Sequence, residues 1–255
     1  MTSAATIPDD AEAVAHIVAR SPGCVAGLAA ALRVFALLDD TVEAGALVVE
    51  GDLVEAGAVL ASVSGPARSL LAAERVSLNL LGHLCGVATA TRALVDRVAG
   101  TNATVIDTRK TTPLWRRLEK MAVEAGGGRN HRMGLYDAVL IKDNHIQSVG
   151  SPDAAVRRAR EHVGDDMTVE VEIESVDDLE SVIAAGADIV MLDNMPPPEM
   201  RRAVALAAGR CLLEASGGVT LDTIRAVAET GVDLISVGWI THSAPALDVA
   251  LDFQD

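Results

Sequence analysis

The feature that most constrains the fold is a regular alternation of apolar runs and helix-like stretches from residue 101 onward. Strands are predicted at 103–107, 138–142, 168–173, 187–192, 210–214 and 233–237, and helices at 152–163, 176–185, 197–208 and 220–230. Such alternation implies a parallel sheet with right-handed crossovers. Six strands in about 140 residues are too few for a full eight-stranded barrel, so a small or irregular βα barrel is predicted. A doubly wound open sheet is the alternative.

Polar residues or glycines follow most of these predicted strands at their C-terminal ends. The later ones, Lys142, Glu172, Asp193, Ser216 and Gly238, succeed one another at intervals of 21 to 30 residues. Each interval is about the length of one βα unit. In a βα barrel these ends converge on one rim, where such enzymes place their chemistry.

A group of cations marks the same strand ends. Arg109 and Lys110 follow the first strand, Lys142 follows the second, and Arg132 lies shortly after three consecutive glycines, Gly126–Gly128. A solvated basic face is the usual alternative, but such faces lie on exposed helices. Cations at buried strand ends instead predict a pocket for an anionic ligand.

The charge balance supports a local anion site. Residues 101–145 contain eight Lys or Arg and five Asp or Glu, although the whole chain has a formal net charge of −15. His131, next to Arg132, is a candidate general acid or base, or equally a hydrogen-bond donor.

Two glycine-bearing turns follow late strands and predict a phosphate site. They are Ser216-Gly217-Gly218, shortly before the helix predicted to open at Thr220, and Gly238. Glycines let backbone N–H groups approach an anion closely, and late loops of βα barrels often hold phosphate this way.

Two carboxylates, Glu172 and Asp193, end neighbouring predicted strands. They could hold ribose hydroxyls or Mg²⁺, which commonly takes one or two carboxylates together with substrate phosphates. A solvated strand end or an ion pair with Lys142 remains the alternative.

The first part of the chain has a different pattern. Residues 11–65 are predicted to be β-rich, and 66–99 to form a long helix with Pro66 in its first turn and Gly100 at its end. Gly82 and Gly86 are expected to bend or interrupt that helix.

Composition excludes several classes of function. The strong acidity argues against nucleic acid or an anionic membrane as partner. Three widely spaced cysteines without a CxxC motif indicate reduced thiols, and no signal peptide or membrane span is recognised. A cytoplasmic protein is therefore expected. No Gly-x-Ser-x-Gly, His-Glu-x-x-His, Walker or dinucleotide motif occurs.

Taken together, the motifs resemble those of the quinolinate phosphoribosyltransferase family over nearly the whole chain. They are Asp107-Thr108-Arg109-Lys110-Thr111-Thr112-Pro113, Gly126-Gly127-Gly128 with Asn130-His131-Arg132, Leu140-Ile141-Lys142-Asp143-Asn144-His145, Glu170-Val171-Glu172, Leu192-Asp193-Asn194-Met195, Glu214-Ala215-Ser216-Gly217-Gly218 and Ser236-Val237-Gly238 with Thr241-His242-Ser243.

The resemblance implies an α/β protein of two domains and the family's reaction. An N-terminal α/β sandwich with a long helix would occupy 1–100, an irregular, incomplete (β/α) barrel 101–245, and a segment returning to the N-terminal domain 246–255. The implied reaction transfers phosphoribosyl from phosphoribosyl pyrophosphate to quinolinate with decarboxylation, with Mg²⁺ as cofactor and a homodimer or higher homo-oligomer as the assembly.

The resemblance also assigns residues to roles. Lys110, Lys142, Glu172 and Asp193 would be catalytic, with Glu172 and Asp193 on the ribose and metal side. Substrate would be bound by Arg75 from a neighbouring subunit, Arg109, His131, Arg132, Ser216, Gly217, Gly218 and Gly238.

Two departures from the family pattern lie beside these loops. Leu114-Trp115 stands where Gly-Leu is usual, and Trp239 stands where a small residue is usual. They leave open two other hypotheses: a paralogous phosphoribosyltransferase for another anionic base, and a ligand-binding relative without turnover.

Overall fold

The computed structural model describes residues 1–254, which form two compact units. The first comprises Met1–Arg92, Arg117–Gly127 and the chain from Ile240 onward, and the second comprises Ala93–Arg116 and Gly128–Trp239. The predicted domain limits, 1–100, 101–245 and 246–255, stay a prediction.

An antiparallel sheet is the centre of the first unit. Its four strands lie in the order Val249–Phe253, Glu12–Ala19, Val59–Pro66 and Glu43–Ala46, and a separate pair joins Gly23–Cys24 to Leu53–Val54. The helices are Thr2–Thr6, Leu28–Leu38, Ala67–Val98 and Arg116–Ala125, the last two continuing into or beginning in the second unit. The core between them is mostly aliphatic, with Phe35 as its largest buried side chain.

Residues 11–65 contain five strands, as the prediction of a β-rich segment implies, and one helix, Leu28–Leu38, that was not predicted. Its sequence, LAAALRVFALL, is made largely of alanine and leucine, which favour helices. A short apolar run cannot be assigned to strand or helix by periodicity alone, and here composition was the better guide.

The prediction that Gly82 and Gly86 bend or interrupt the long helix is wrong as to an interruption, because Ala67–Val98 is one continuous helix. Both glycines serve close packing instead. A Cβ at Gly86 would lie 2.1 Å from the Pro245 carbonyl oxygen, and one at Gly82 would lie 2.8 Å from that of Leu247. The helix is long and apolar enough to cross a membrane, but 61% of its most apolar window is buried in the chain.

A six-stranded parallel sheet forms the second unit. Its strands lie in the order Thr104–Ile106, Leu234–Ser236, Leu212–Ser216, Ile189–Asp193, Val169–Ile173 and Val139–Ile141. Helices Asp143–Val149, Pro152–Val163, Leu179–Ala184, Pro197–Ala207 and Ile224–Ala228 alternate with them, with a 3₁₀ turn at Val176–Asp178 and a short helix, Trp239–His242, at the end.

The strand order confirms an irregular, incomplete barrel and excludes the doubly wound alternative. From Val139–Ile141 to Leu234–Ser236 each strand pairs with the next in the chain, and the order never reverses. A doubly wound sheet needs such a reversal. The strand Thr104–Ile106, although first in the chain, lies at the edge of the sheet beside Leu234–Ser236. It forms no ladder with Val139–Ile141, the strand at the other edge, within residues 1–254, so the ring of strands is open between them.

One backbone position in the second unit is strained. Leu114 has a φ of 71° and a fully exposed side chain. The left-handed region costs a residue with a Cβ about 1–2 kcal/mol, whereas glycine adopts it freely. Glycine is the residue that the resemblance noted in the sequence leads us to expect at this position.

Leu114→Gly is therefore expected to stabilise the protein by about 0.5–1 kcal/mol, because the relieved strain exceeds the added entropy of the unfolded chain. The midpoint of urea unfolding measures the change. The matched control is Leu135→Gly, at an exposed leucine whose φ is not positive, which should lower the midpoint. Equal effects of the two substitutions would contradict the assignment of strain.

Candidate active site

The C-terminal ends of the parallel strands form a rim made of the loops that follow them. Asp193 pairs in register with Ser216, and Ser216 pairs in turn with Ser236 on the next strand. Glu172 and Lys142 stand at the ends of the two strands on the other side of Asp193. The structure thus brings these strand-end residues to one edge of the sheet.

Lys142 and Glu172 form an ion pair across this rim. The Lys142 Nζ donates to Glu172 Oε2 at 2.7 Å. The lysine is about half exposed, whereas Glu172 is largely buried, with 14% of its side-chain surface accessible. The ion pair with Lys142, which the sequence analysis gave as the alternative for Glu172, is therefore present. Any ligand that binds Glu172 has to share this carboxylate with Lys142.

Two arginines come together where the loops after the first strand and after the glycines meet the sheet. Burial, and then the neighbouring Arg109 guanidinium, lower the pKa of Arg132. The Nε atoms of both arginines are buried and have no hydrogen-bond partner among residues 1–254. Arg132 uses one terminal nitrogen on the Ala138 carbonyl, at 3.1 Å. Two guanidinium groups that repel each other and still have N–H groups available for hydrogen bonds make a suitable binding site for an anion.

His131 is held on several sides. Its backbone N–H donates to Asp107 Oδ1 at 2.8 Å, and its Nδ1 accepts from the Arg132 backbone N–H at 2.7 Å. Its Nε2 lies 2.9 Å from Glu170 Oε2 and 3.6 Å from Glu214 Oε2. The ring is thus engaged at both nitrogens.

The two glutamates beneath the ring are buried, with Glu170 2% exposed and Glu214 not exposed at all. Burial, reinforced by the charge of Glu170, raises the pKa of Glu214 well above its ordinary value. The Ser236 hydroxyl and Lys142 act in the opposite direction, with smaller effect. Glu214 therefore retains its proton to higher pH than an ordinary glutamate does.

Arg116 joins the loops that carry the two site arginines. Its guanidinium donates to the carbonyls of Arg109 and Met133, at 3.2 and 3.1 Å, and to Thr111 Oγ1 at 3.1 Å. The loop after the first strand is therefore tied to the loop that follows His131.

The two glycine turns lie at the ends of adjacent strands. Gly217 and Gly218 have φ values of 100° and 64°. A Cβ at Gly217 would lie 2.1 Å from Asn194 Oδ1, so glycine is required there by close approach as well as by φ. The Trp239 indole, directly after Gly238, donates its Nε1–H to the Val219 carbonyl at 3.0 Å. The bulky residue thus joins the two turns that sequence predicts to hold phosphate.

The remaining predicted residues are placed separately. Lys110 donates its backbone N–H to Thr108 Oγ1 at 3.0 Å. Arg75 lies on the long helix of the first unit with a side chain that is 71% exposed and paired with the adjacent Glu74. It lines a groove with residues 246–249. Arg75 is thus a solvent-facing cation on its own unit.

The glycine run has a packing role in addition to any ligand role. A Cβ at Gly126 would lie 2.4 Å from the Ala88 carbonyl, and Gly127 has a φ of 87°. His145, part of a motif that carried the resemblance, accepts a hydrogen bond from the Lys142 backbone N–H at 3.0 Å. It fixes the start of the helix after Lys142.

The residues that sequence reasoning did not assign are Asp107, Arg116, Glu170 and Glu214. One available signal was Glu214 itself, a lone charge in an otherwise apolar strand, LLEAS. A charge in such a strand is almost never fully buried unless it is paired.

Comparison with known proteins identifies the family. Residues 1–85 match the quinolinate phosphoribosyl transferase N-terminal domain, and residues 87–252 match the C-terminal domain. The chain belongs to the quinolinate phosphoribosyltransferase family.

Individual members of the quinolinate phosphoribosyltransferase family align over most of their length. A probable nicotinate-nucleotide pyrophosphorylase [carboxylating] of Bacillus subtilis is 47% identical over 238 residues, 93% of this chain and 82% of that protein. The corresponding protein of Mycobacterium leprae is 42% identical, over 99% of this chain and 90% of its own. The crystal structure of NadC from Streptococcus pyogenes superposes with a TM-score of 0.94 at 40% identity, covering 100% of this chain and 91% of that one.

The raised pKa of Glu214 predicts a pH dependence of stability in this quinolinate phosphoribosyltransferase. The folded state holds the Glu214 proton more tightly than the unfolded chain, whose pKa is near 4.5. Its contribution to stability is complete below that pH and is lost as the pH rises through the folded pKa, by about 1.4 kcal/mol per pH unit. Glu214→Gln should remove this loss.

Urea unfolding of wild type and Glu214→Gln between pH 4 and 8 measures the difference. The stability of the wild type relative to the variant should fall as the pH rises above 4.5. Glu55→Gln, at an exposed position, controls for loss of one charge. A difference that is independent of pH would contradict a raised pKa of Glu214 in the folded protein.

Proposed function

We propose that the rim of the parallel sheet is where this chain binds quinolinate and phosphoribosyl pyrophosphate. The reaction follows from the family. As a quinolinate phosphoribosyltransferase, the chain transfers phosphoribosyl from phosphoribosyl pyrophosphate to quinolinate with decarboxylation, giving nicotinate mononucleotide, pyrophosphate and CO₂ in NAD biosynthesis.

The observation that carries the quinolinate site is the meeting of Arg109 and Arg132. Their buried Nε–H groups point to no acceptor among the described residues, and burial and mutual repulsion lower the pKa of Arg132. Quinolinate carries two adjacent carboxylates, and guanidinium groups bind carboxylates in planar, charge-assisted pairs. Lys142, half exposed at the next strand end, adds a third cation.

The 5′-phosphate of the second substrate is assigned to Ser216, Gly217, Gly218 and Gly238. Two consecutive glycines with positive φ turn backbone away from ordinary strand geometry immediately after Ser216. Backbone N–H groups in such concave turns form anion sites. The indole of Trp239 supports this assignment because it ties one turn to the other.

Glu172 and Asp193 fit a Mg²⁺ ion that shares its coordination with substrate. They offer hard carboxylate oxygens at the ends of neighbouring strands, and Mg²⁺ is commonly bound by one or two carboxylates plus phosphate oxygens. Asp193 Oδ2 accepts from its neighbour Asn194 at 2.8 Å, which leaves its other oxygen for a metal or ribose. Such an ion would neutralise charge on the pyrophosphate.

The protein's own contribution to the chemistry is positioning and electrostatic stabilisation. Arg109, Arg132 and Lys142 hold the dicarboxylate so that its ring nitrogen faces the ribose carbon. That nitrogen forms the new bond as pyrophosphate leaves with the electron pair of the broken C–O bond. The 2-carboxylate is then lost as CO₂, and the ring carbon takes a proton. No protein nucleophile is required, and Lys110 adds positive charge near the reacting groups.

We also propose a homodimer, or a higher homo-oligomer, in the cytoplasm, with Arg75 of one subunit completing the site of another. The side chain of Arg75 is 71% exposed and pairs with the adjacent Glu74, and this exposure supports a role outside its own chain. A two-fold assembly would supply one such arginine to each of two sites.

The assignment of the carboxylate site predicts the choice between quinolinate and nicotinate. Nicotinate lacks the 2-carboxylate and would leave a cation without its partner in a partly buried site. The loss of such a partner costs about 2–5 kcal/mol, so nicotinate should be used at least tenfold less well. The measurement is kcat/KM for each acid with phosphoribosyl pyrophosphate and Mg²⁺, following nicotinate mononucleotide.

Comparable kcat/KM values for the two acids would contradict the carboxylate assignment. Absence of any product from folded protein would contradict the reaction itself. Lys142→Ala should depress quinolinate turnover far more than it depresses the unfolding midpoint, because its side chain is half exposed.

Removing the indole bond should weaken the phosphate site selectively. Trp239→Phe keeps an aromatic ring and removes the donor to Val219. A hydrogen bond contributes about 0.5–1.5 kcal/mol, so the KM for phosphoribosyl pyrophosphate should rise about 3- to 10-fold. The KM for quinolinate is the internal control. It should stay within about twofold, because well-separated sites act independently to within about 0.3–0.5 kcal/mol. An equal rise in both would mean that Trp239 acts on the whole unit.

Mixing two inactive variants tests the shared site. Arg75→Ala and Lys142→Ala homodimers should each be nearly inactive. After co-refolding at equal amounts, about half of the dimers are mixed, and each of these has one intact site, so activity should return to about a quarter of wild type. If the mixture stays inactive despite proven subunit exchange, Arg75 does not act across an interface.

A further inference from the structure

The two nitrogens of the His131 ring have different roles that fix its tautomer. Nδ1 accepts a hydrogen bond from the backbone N–H of Arg132 at 2.7 Å, so Nδ1 carries no proton in this arrangement. A neutral imidazole then has its proton on Nε2. Nε2 lies 2.9 Å from Glu170 Oε2, which is the distance of a hydrogen bond from Nε2–H to a carboxylate oxygen.

A metal ion is the other occupant that this group of atoms suggests. One ligand atom from each of His131, Glu170 and Glu214 lies within 4.8 Å of the others. Coordination by Nε2 requires a free electron pair there and a proton on Nδ1. The Arg132 N–H already points at Nδ1, so a proton on that nitrogen would face another proton. The backbone geometry therefore favours a hydrogen-bonded ring over a metal ligand.

We propose that Glu170 and Glu214 form an acid pair that holds His131 as its Nε2–H tautomer, so that His131 positions Arg132 and does not transfer a proton. The three side chains act as positioning residues for the quinolinate site, and this inference rests on that proposed function. Glu170 accepts a hydrogen bond from the Nε2–H of the ring. The nearest oxygen of Glu214 lies 3.6 Å from the same nitrogen.

The arrangement explains how Arg132 is aimed. The backbone on both sides of the His131 Cα is fixed: Asp107 accepts the His131 N–H, and the imidazole ring accepts the Arg132 N–H. The ring is in turn anchored to the strand Val169–Ile173 through Glu170. A shift of the ring would therefore move the backbone that carries the Arg132 guanidinium.

A neutral Glu214 also preserves the charge of the site. The charged or titratable groups that face it are Glu170, His131 and Lys142, with the Ser236 hydroxyl alongside. The charge of Glu170 already acts on the Arg132 guanidinium, and a second ionised glutamate beside it would weaken the binding of a dianion further. A protonated Glu214 adds no negative charge of its own, and its hydroxyl can donate to the neighbouring Glu170 side chain.

The tautomer can be measured without turnover. A two-bond ¹H–¹⁵N correlation spectrum of the intact protein at pH 8, where an ordinary imidazole is neutral, shows which ring nitrogen bears the proton. The chain has six histidines, and the His131 signals are those that disappear in His131→Gln. We expect a protonated Nε2 and an unprotonated Nδ1. The opposite tautomer, or signals moved by added Zn²⁺ in wild type and not in Glu214→Gln, would overturn the proposal.

Kinetics of matched variants test the positioning role. Glu170→Ala removes the acceptor, so the KM for quinolinate should rise about tenfold or more, the usual effect of losing a hydrogen bond to a charged group. Glu170→Gln keeps an acceptor oxygen and should recover part of the loss. Glu214→Ala should also raise this KM, and Glu214→Gln, which has the shape of the protonated acid, should restore it.

His131→Gln separates positioning from proton transfer. A glutamine amide can still donate toward Glu170 but cannot act as an acid or base. We expect a rise of about tenfold in the KM for quinolinate, with a fall in kcat of less than tenfold. A loss of 100-fold or more in kcat at unchanged KM, which is the effect of removing a general acid or base, would overturn the proposal.

The outcomes distinguish this proposal from the function on which it rests. If wild-type protein makes no nicotinate mononucleotide, the proposed function fails, whatever the tautomer. If wild type is active and the tautomer is as expected, but Glu170→Ala and Glu170→Gln leave the KM for quinolinate unchanged in folded protein, the function stands and the positioning role is wrong.

Discussion

The repulsion between two half-buried guanidinium groups is the interaction on which the rest of the site depends. Arg109 and Arg132 are brought together by separate loops, and each retains a buried N–H without an acceptor among residues 1–254. Such an arrangement is costly for a protein on its own and becomes favourable when an anion lies between the cations. The surrounding contacts, from Arg116 above all, hold the loops against that repulsion.

Two buried glutamates, Glu170 and Glu214, lie beside the His131 ring. Burial favours the protonated form of Glu214, and the adjacent Glu170 favours it further. A Glu214 that keeps its proton would suit the proposed binding of a dianion by Arg109 and Arg132. His131 links the glutamates to the arginines, since one ring nitrogen contacts Glu170 and the other contacts the backbone of Arg132.

Much of the fold could be predicted from the sequence because the signals were local and repeated. Most strands of the parallel sheet are rich in apolar residues and are followed by polar ones, and the edge where Asp193 and Ser216 meet follows from parallel pairing. The helix Leu28–Leu38 and the uninterrupted helix through Gly86 were missed because composition and remote packing, and not periodicity, decide them. The acid pair could not be predicted, since it depends on the register that places Glu214 near a histidine from a distant loop.

The crystal structure of the protein with quinolinate bound tests the central claim most directly. The account predicts that the two carboxylates lie between Arg109 and Arg132, with oxygens about 3 Å from the guanidinium nitrogens, and that the ring nitrogen faces away from the acid pair. Quinolinate bound elsewhere on the protein, or bound with its carboxylates turned away from both arginines, would contradict it.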